Sequence, residues 1–151
     1  MSGAYDNHAH IDGAWRVGAR GISVLNVAGN PPGAFDGPPA SEFALAIVTS
    51  GAGRVEMDLG AGRFSAMERP GHMNLAPPDV ETSYIVDHAF DLLICGLPRD
   101  VVEEARCAMG VSADELARLH EGLFRDDTVD ALARGVAEAA AAGRARDALF
   151  A

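Results

Sequence analysis

Between residues 29 and 98 the chain is cut by turn-forming residues at short intervals, and this limits its fold more than any other feature. Gly29-Asn30-Pro31-Pro32-Gly33 and Asp36-Gly37-Pro38-Pro39 make a loop that excludes helix and central strand. Ser50-Gly51-Ala52-Gly53, Gly60-Ala61-Gly62, Pro70-Gly71, Pro77-Pro78-Asp79 and Asp87-His88 follow. Several of the segments between them alternate as strands do: in Arg54-Val55-Glu56-Met57-Asp58-Leu59, Val55, Met57 and Leu59 face a core and the charged residues face water. Phe43, Leu45 and Ile47 share one face of a second strand. Residues 22–28, 63–67, 72–76, 82–86 and 90–97 complete about seven short strands, the pattern of an antiparallel sandwich or barrel.

After Pro98 the period changes. Residues 100–109 carry Val101, Val102, Ala105 and Met109 on one helical stripe, with Gly110 as the stop. Ser112-Ala113-Asp114-Glu115 is a capping box opening a second helix with Leu116, Leu119, His120, Leu123 and Phe124 in register. Asp126 or Asp127 caps a third, whose stripe is Val129, Leu132, Ala133, Val136, Ala137 and Ala140, ended by Gly143. The expected organisation is therefore an arm at residues 1–21 that packs through Trp15, a β unit at 22–98 and a helical unit at 99–151.

The 151 residues suffice for one domain, and no apolar run reaches the ~20 residues of a membrane helix. The N-terminus lacks the basic start and apolar stretch of a signal peptide, so a cytoplasmic location is expected. All 12 basic residues are Arg and the net charge is −10, which opposes direct binding to a phosphate backbone. Cys95 and Cys107 have no metal-binding or redox spacing and are expected to be reduced, buried thiols.

The order of a Gly-turn hairpin (SGAGRVEMDLGAGRF), a PGHMNLAPP strand and break, a strand ending in FDLLICGLP, and three helices ending in DDTVDALARGVAEA resembles the N-terminal ligand-binding and dimerisation domain of AraC-type transcription regulators. The resemblance covers residues 44–150. It implies an α+β fold, a cupin-like jelly-roll barrel followed by two or three helices, with a small-molecule effector in the barrel and a homodimer built on the helices. The family's DNA-binding half, two helix-turn-helix units, has no counterpart in these residues.

Metal-binding cupins resemble one another in a His-x-His followed by Glu on one strand. Here His8-Ala9-His10 precedes the first expected strand, no Glu follows before Glu42, and His72 and His88 stand alone, so neither metal nor other cofactor is expected. There is no G-x-S-x-G, and the paired carboxylates Glu103-Glu104 and Asp126-Asp127 sit on helices or their starts, so no catalytic residue is assigned. For ligand binding, His72 and Asn74 share one face of their expected strand, Tyr84 lies on the next, and Trp15 folds over from the arm; placed polar groups on apolar walls are what small-molecule sites need. For the dimer, the alanine-narrowed stripe at Leu132, Val136 and Ala140 lets a second helix approach closely. The competing reading is a stand-alone cupin-like enzyme: an isomerase, cyclase or metal-dependent oxygenase acting on a small metabolite.

Overall fold

The computed structural model describes residues 11–17 and 20–150. Among them the strands are β1 (Ile11–Val17), β2 (Ile22–Asn30), β3 (Gly33–Gly37), β4 (Phe43–Ser50), β5 (Gly53–Asp58), β6 (Arg63–Glu68), β7 (Met73–Ala76), β8 (Thr82–Val86) and β9 (Phe90–Leu97), and the helices are α1 (Arg99–Met109), α2 (Ala113–Ala117) and α3 (Asp127–Phe150). One sheet has the order β1-β2-β9-β4-β7 and the other β3-β8-β5-β6, every pairing antiparallel. Without β1, and apart from the β5–β6 hairpin, chain-order neighbours alternate between sheets in the way that two nested Greek keys require, which is the jelly roll. The expected α+β fold, a jelly roll followed by helices, is the observed one.

Two apolar layers hold it together. Leu25, Val27, Ala46, Val48, Val55, Met57, Leu59, Val86, Leu92 and Ile94 meet between the sheets. Val24, Ile47, Met73, Leu93 and Cys95 lie on the outer face of the five-stranded sheet, beneath Val129, Ala133 and Ala137 of α3. This explains why β9 reads as the unbroken apolar run Leu92-Leu93-Ile94-Cys95: both of its faces are covered.

Several expectations are corrected. Residues 11–17, placed in a flexible arm, form an edge strand paired with β2. Gly33–Gly37, placed in a loop, is β3, which pairs only with β8; the flanking prolines forbid a central strand but not an edge one. The second helix is much shorter than its stripe implied. Ser112 Oγ accepts from the Glu115 N–H at 3.1 Å and starts α2, but a 3-10 turn at Arg118–His120 ends it. Phe124 instead exchanges backbone hydrogen bonds with Met73 at 2.8 and 3.0 Å, and His120 Nδ1 lies 2.6 Å from the Leu75 carbonyl. The segment after α2 thereby covers the free edge of β7. Asp126 Oδ1 accepts from the Val129 N–H and caps α3, which runs past Gly143 to Phe150. Both cysteines are free, but Cys107 is exposed rather than buried. No helix among the described residues is long and apolar enough to cross a membrane.

Candidate functional site

The jelly roll is not completely filled. A cavity of about 60 Å³ lies between the sheets, walled by Phe35, Ala44, Ala46, Asn74, Thr82, Tyr84 and Ile94 and by the loops around Pro38 and Pro77. A second, of about 40 Å³, is walled by Met57, Glu68, Val86, Phe90 and Leu92. Phe35, Ala46, Asn74 and Tyr84 belong to both walls, so the two spaces adjoin. Each exceeds the roughly 10–15 Å³ a water needs and falls well short of the roughly 300–1,000 Å³ of drug-sized pockets. In this conformation the interior suits a ligand of only a few non-hydrogen atoms.

Alternation along the strands places the polar groups. Met73 and Leu75 of β7 point outward, so Asn74 points inward; it is 4% exposed, and its buried Oδ1 has no hydrogen-bond partner among the described residues. Tyr84 stands on the facing sheet, where burial pushes its phenol pKa up and a Thr82 hydrogen bond works against that. Glu68, the last residue of β6, turns its side chain inward and is also 4% exposed. Burial drives its carboxyl pKa above the usual range, with neighbouring His88 pulling the other way. His88 Nε2 lies 3.6 Å from Glu68 Oε1, just beyond hydrogen-bond reach, while His88 Nδ1 lies 2.9 Å from Asp87 Oδ1 at the surface. Asp87 Oδ1 also accepts from the Arg54 N–H at 2.9 Å, and the hydrogen bond to His88 holds the Asp87 pKa down. A carboxyl, an imidazole and a second carboxylate thus run from the cavity wall to solvent.

Asn74 and Tyr84, two of the four residues assigned to ligand binding, are brought together in both cavity walls. His72 is not. It precedes β7, and its Nδ1 accepts from the Arg69 N–H at 2.9 Å. Partial burial and the nearby Arg125 and Arg69 guanidinium groups hold its pKa down. Trp15 lies in β1 opposite Val24, and its side chain is outside the described residues. Glu68 and His88 are twenty positions apart in the chain and meet only because β6 and β8 flank β5 in one sheet, so no local pattern in the sequence pairs them. His8 and His10 are outside the described residues, and among those described no cluster of His, Cys, Asp and Glu is arranged to hold a metal ion.

One end of the larger cavity is tied to the helices. Arg99, the first residue of α1, donates its Nε to the Ser41 carbonyl at 3.0 Å and pairs with Asp79, whose own N–H donates to the Ala40 carbonyl at 2.7 Å. The loops before β4 and after β7 are thus fastened to each other and to α1.

No protein-family profile matches the chain, and no curated protein matches it. Among solved structures it is similar to a cupin-2 domain protein from Shewanella frigidimarina, at 17% identity and a TM-score of 0.41 over 62% of this chain and 84% of that one. It is also similar to the cupin domain of an XRE-family transcriptional regulator from Enterobacter cloacae, at 14% identity and a TM-score of 0.38 over 58% of this chain and 97% of that one. A third neighbour is oxalate decarboxylase from Bacillus subtilis, at 16% identity and a TM-score of 0.42; the match takes in 72% of this chain and only 34% of that one. Regulator domains and enzymes stand side by side in this set, and similarity this distant assigns neither role here.

Proposed function

We propose that this chain is the effector-binding and dimerisation domain of an AraC-type transcriptional regulator. The observation that carries the reading is the cavity between the sheets, with Asn74 and Tyr84 set in largely apolar walls. A ligand there touches elements that also touch the helices. β7 turns Asn74 inward and Met73 outward, and Met73 is bonded to Phe124 at the approach to α3. Arg99 joins the cavity's loops to α1. A ligand that favours one arrangement of these loops over another shifts the helices in proportion to that difference in affinity. A cytoplasmic location, no resident cofactor and no direct contact of this chain with nucleic acid belong to the same reading.

Ala46 lines both cavities and is the point at which to test it. Ala46→Leu fills the space with hydrocarbon at a cost within about 1–3 kcal/mol, so the fold survives. Small molecules that raise the melting temperature of the wild-type chain are expected to lose at least about tenfold in affinity for the variant. Undiminished binding to Ala46→Leu would place the site elsewhere.

The dimer is assigned to α3. Of its stripe, Val129, Ala133 and Ala137 are used against the sheet, whereas Leu132 is 64% and Val136 38% exposed, with half-buried Ala140 one turn further on. Light scattering is expected to give a dimer mass for the wild type and a monomer mass for Val136→Asp, with the same circular dichroism. A monomeric wild type, or a dimeric variant, would remove α3 from this role.

The second reading, a stand-alone cupin-like enzyme acting on a small metabolite, is favoured by one observation: the Glu68 carboxyl lines the cavity wall and the His88 imidazole lies 3.6 Å behind it, as an acid–base pair would.

A further inference from the structure

We infer that the interior cavity takes a small organic ammonium ion, paired with the Glu68 carboxylate. The inference rests on the reading of the cavity as a ligand site and adds the chemistry of its occupant. The polar groups that line the two adjoining spaces include the Glu68 carboxyl and the unpartnered Asn74 Oδ1, each on a side chain 4% exposed, with Asp36 and Glu42 in the wall of the larger space and the hydroxyls of Thr82 and Tyr84 beside them. Around them stand the rings of Phe35, Phe90 and Tyr84, with Phe35 and Phe90 in edge-to-face contact at 5.6 Å between centroids. Ring faces attract cations, and carboxylates and amide oxygens accept N–H bonds. No Arg lines either cavity, the chain has no Lys, and its net charge is −10. An anion would find no cationic partner in the wall, and a neutral molecule would not offset the charge of the Glu68 carboxylate.

Protons and charge balance simply. Burial favours the carboxylic acid form of Glu68 in the empty site, with His88 pulling the other way, and the exchange applies to the pH range in which that form is populated. When R–NH3+ enters, the carboxyl O–H bond breaks, the carboxylate and ammonium form an ion pair, and one proton goes to solvent. His88 is placed to carry it, with Nε2 towards Glu68 and Nδ1 on exposed Asp87. The titratable groups facing Glu68 are His88 from the β8–β9 turn and Tyr84 from β8, with Asp87 behind His88. The Arg54 backbone N–H, not its side chain, completes the arrangement from β5. Below the point where Glu68 ionises, affinity therefore rises with pH by up to about tenfold per unit.

The test is calorimetric titration of the purified chain with n-propylammonium chloride, n-propanol and sodium propionate at matched ionic strength. It is run at mildly acidic and mildly alkaline pH and in buffers of different ionisation enthalpy. The ammonium salt is expected to bind best, to bind more tightly at the higher pH, and to release close to one proton per ion at the lower. E68Q keeps the shape and removes the ionisable oxygen; at least about tenfold loss for the ammonium salt is expected, with circular dichroism unchanged. If n-propanol or propionate binds as well as the ammonium salt and Ala46→Leu abolishes that binding, the cavity is a ligand site and the ammonium inference is wrong. Ammonium binding without proton release, or undiminished in E68Q, also overturns it. If no probe binds at either pH, the inference fails, and the cavity reading then stands or falls on the Ala46→Leu comparison with other ligands.

Discussion

Ile47→Ala is expected to lower the free energy of unfolding by about 2–5 kcal/mol, read as a fall in urea midpoint at unchanged slope. Ile47 is fully buried, yet it does not lie between the two sheets. It points out of β4 into the layer with Val24, Met73, Leu93 and Cys95 that α3 covers. One wall of that layer is a hydrogen-bonded sheet, fixed on both sides of β4 by β7 and β9, and cannot collapse into the gap. The other wall presents Ala133 and Ala137, too short to fill it. Both conditions place the cost towards the top of the range. Ile85→Ala is the matched control: Ile85 is 45% exposed on the outer face of the four-stranded sheet, and its loss should stay within about 0.5 kcal/mol. Equal effects at the two sites would mean that α3 does not seat on β4, and the link from cavity to helices through β7 would lose its physical basis.

The same double burial explains what could be read from the residues alone. β5 faces water on one side and the core on the other, so Val55 and Met57 alternate cleanly with Arg54, Glu56 and Asp58. β4 and β9 are covered on both faces, so their near-continuous apolar runs mark them as strands without telling which residues meet the cavity. Phe43, Leu45 and Ile47 do share a face, but it is the one turned away from the cavity: Phe43 stacks on His120 at 6.3 Å, and Ile47 lies under α3. Asn74 was legible because β7 is short and bounded by turns, which pins its parity. His72 was misplaced by extending that parity one residue beyond the strand, where the Arg69–His72 turn takes over. β3 was hidden because Gly and Pro oppose regular structure in general, whereas an edge strand needs only one satisfied side. The Glu68–His88 approach depends on which turn meets which strand end, and no local pattern encodes that.

Gly51→Ala is expected to be far more damaging than Gly62→Ala, although both glycines sit in β turns at similar left-handed angles, φ +102° and φ +106°. Either alanine incurs the backbone strain, on the order of 1–3 kcal/mol. At Gly62 a Cβ would meet nothing within 4 Å, so strain is the whole effect. At Gly51 the Cβ would press on the Ala89 carbonyl oxygen and lie 3.0 Å from Phe90 Cα, both backbone atoms that cannot rotate away. Gly53, at the other end of the same turn, packs against the His88 ring and the Asp87 carboxylate, where a Cβ would lie 2.5 Å from Asp87 Oδ1. The turn at residues 50–53 is thus a mould for residues 87–90, the segment that aims His88 at Glu68. Gly51→Ala should therefore lower the melting temperature beyond Gly62→Ala and shift the His88 ring resonances, which Gly62→Ala leaves in place. Equal melting temperatures and an unmoved His88 would show that the 87–90 turn holds its shape by itself, and the placement of the imidazole beside Glu68 would then need another cause.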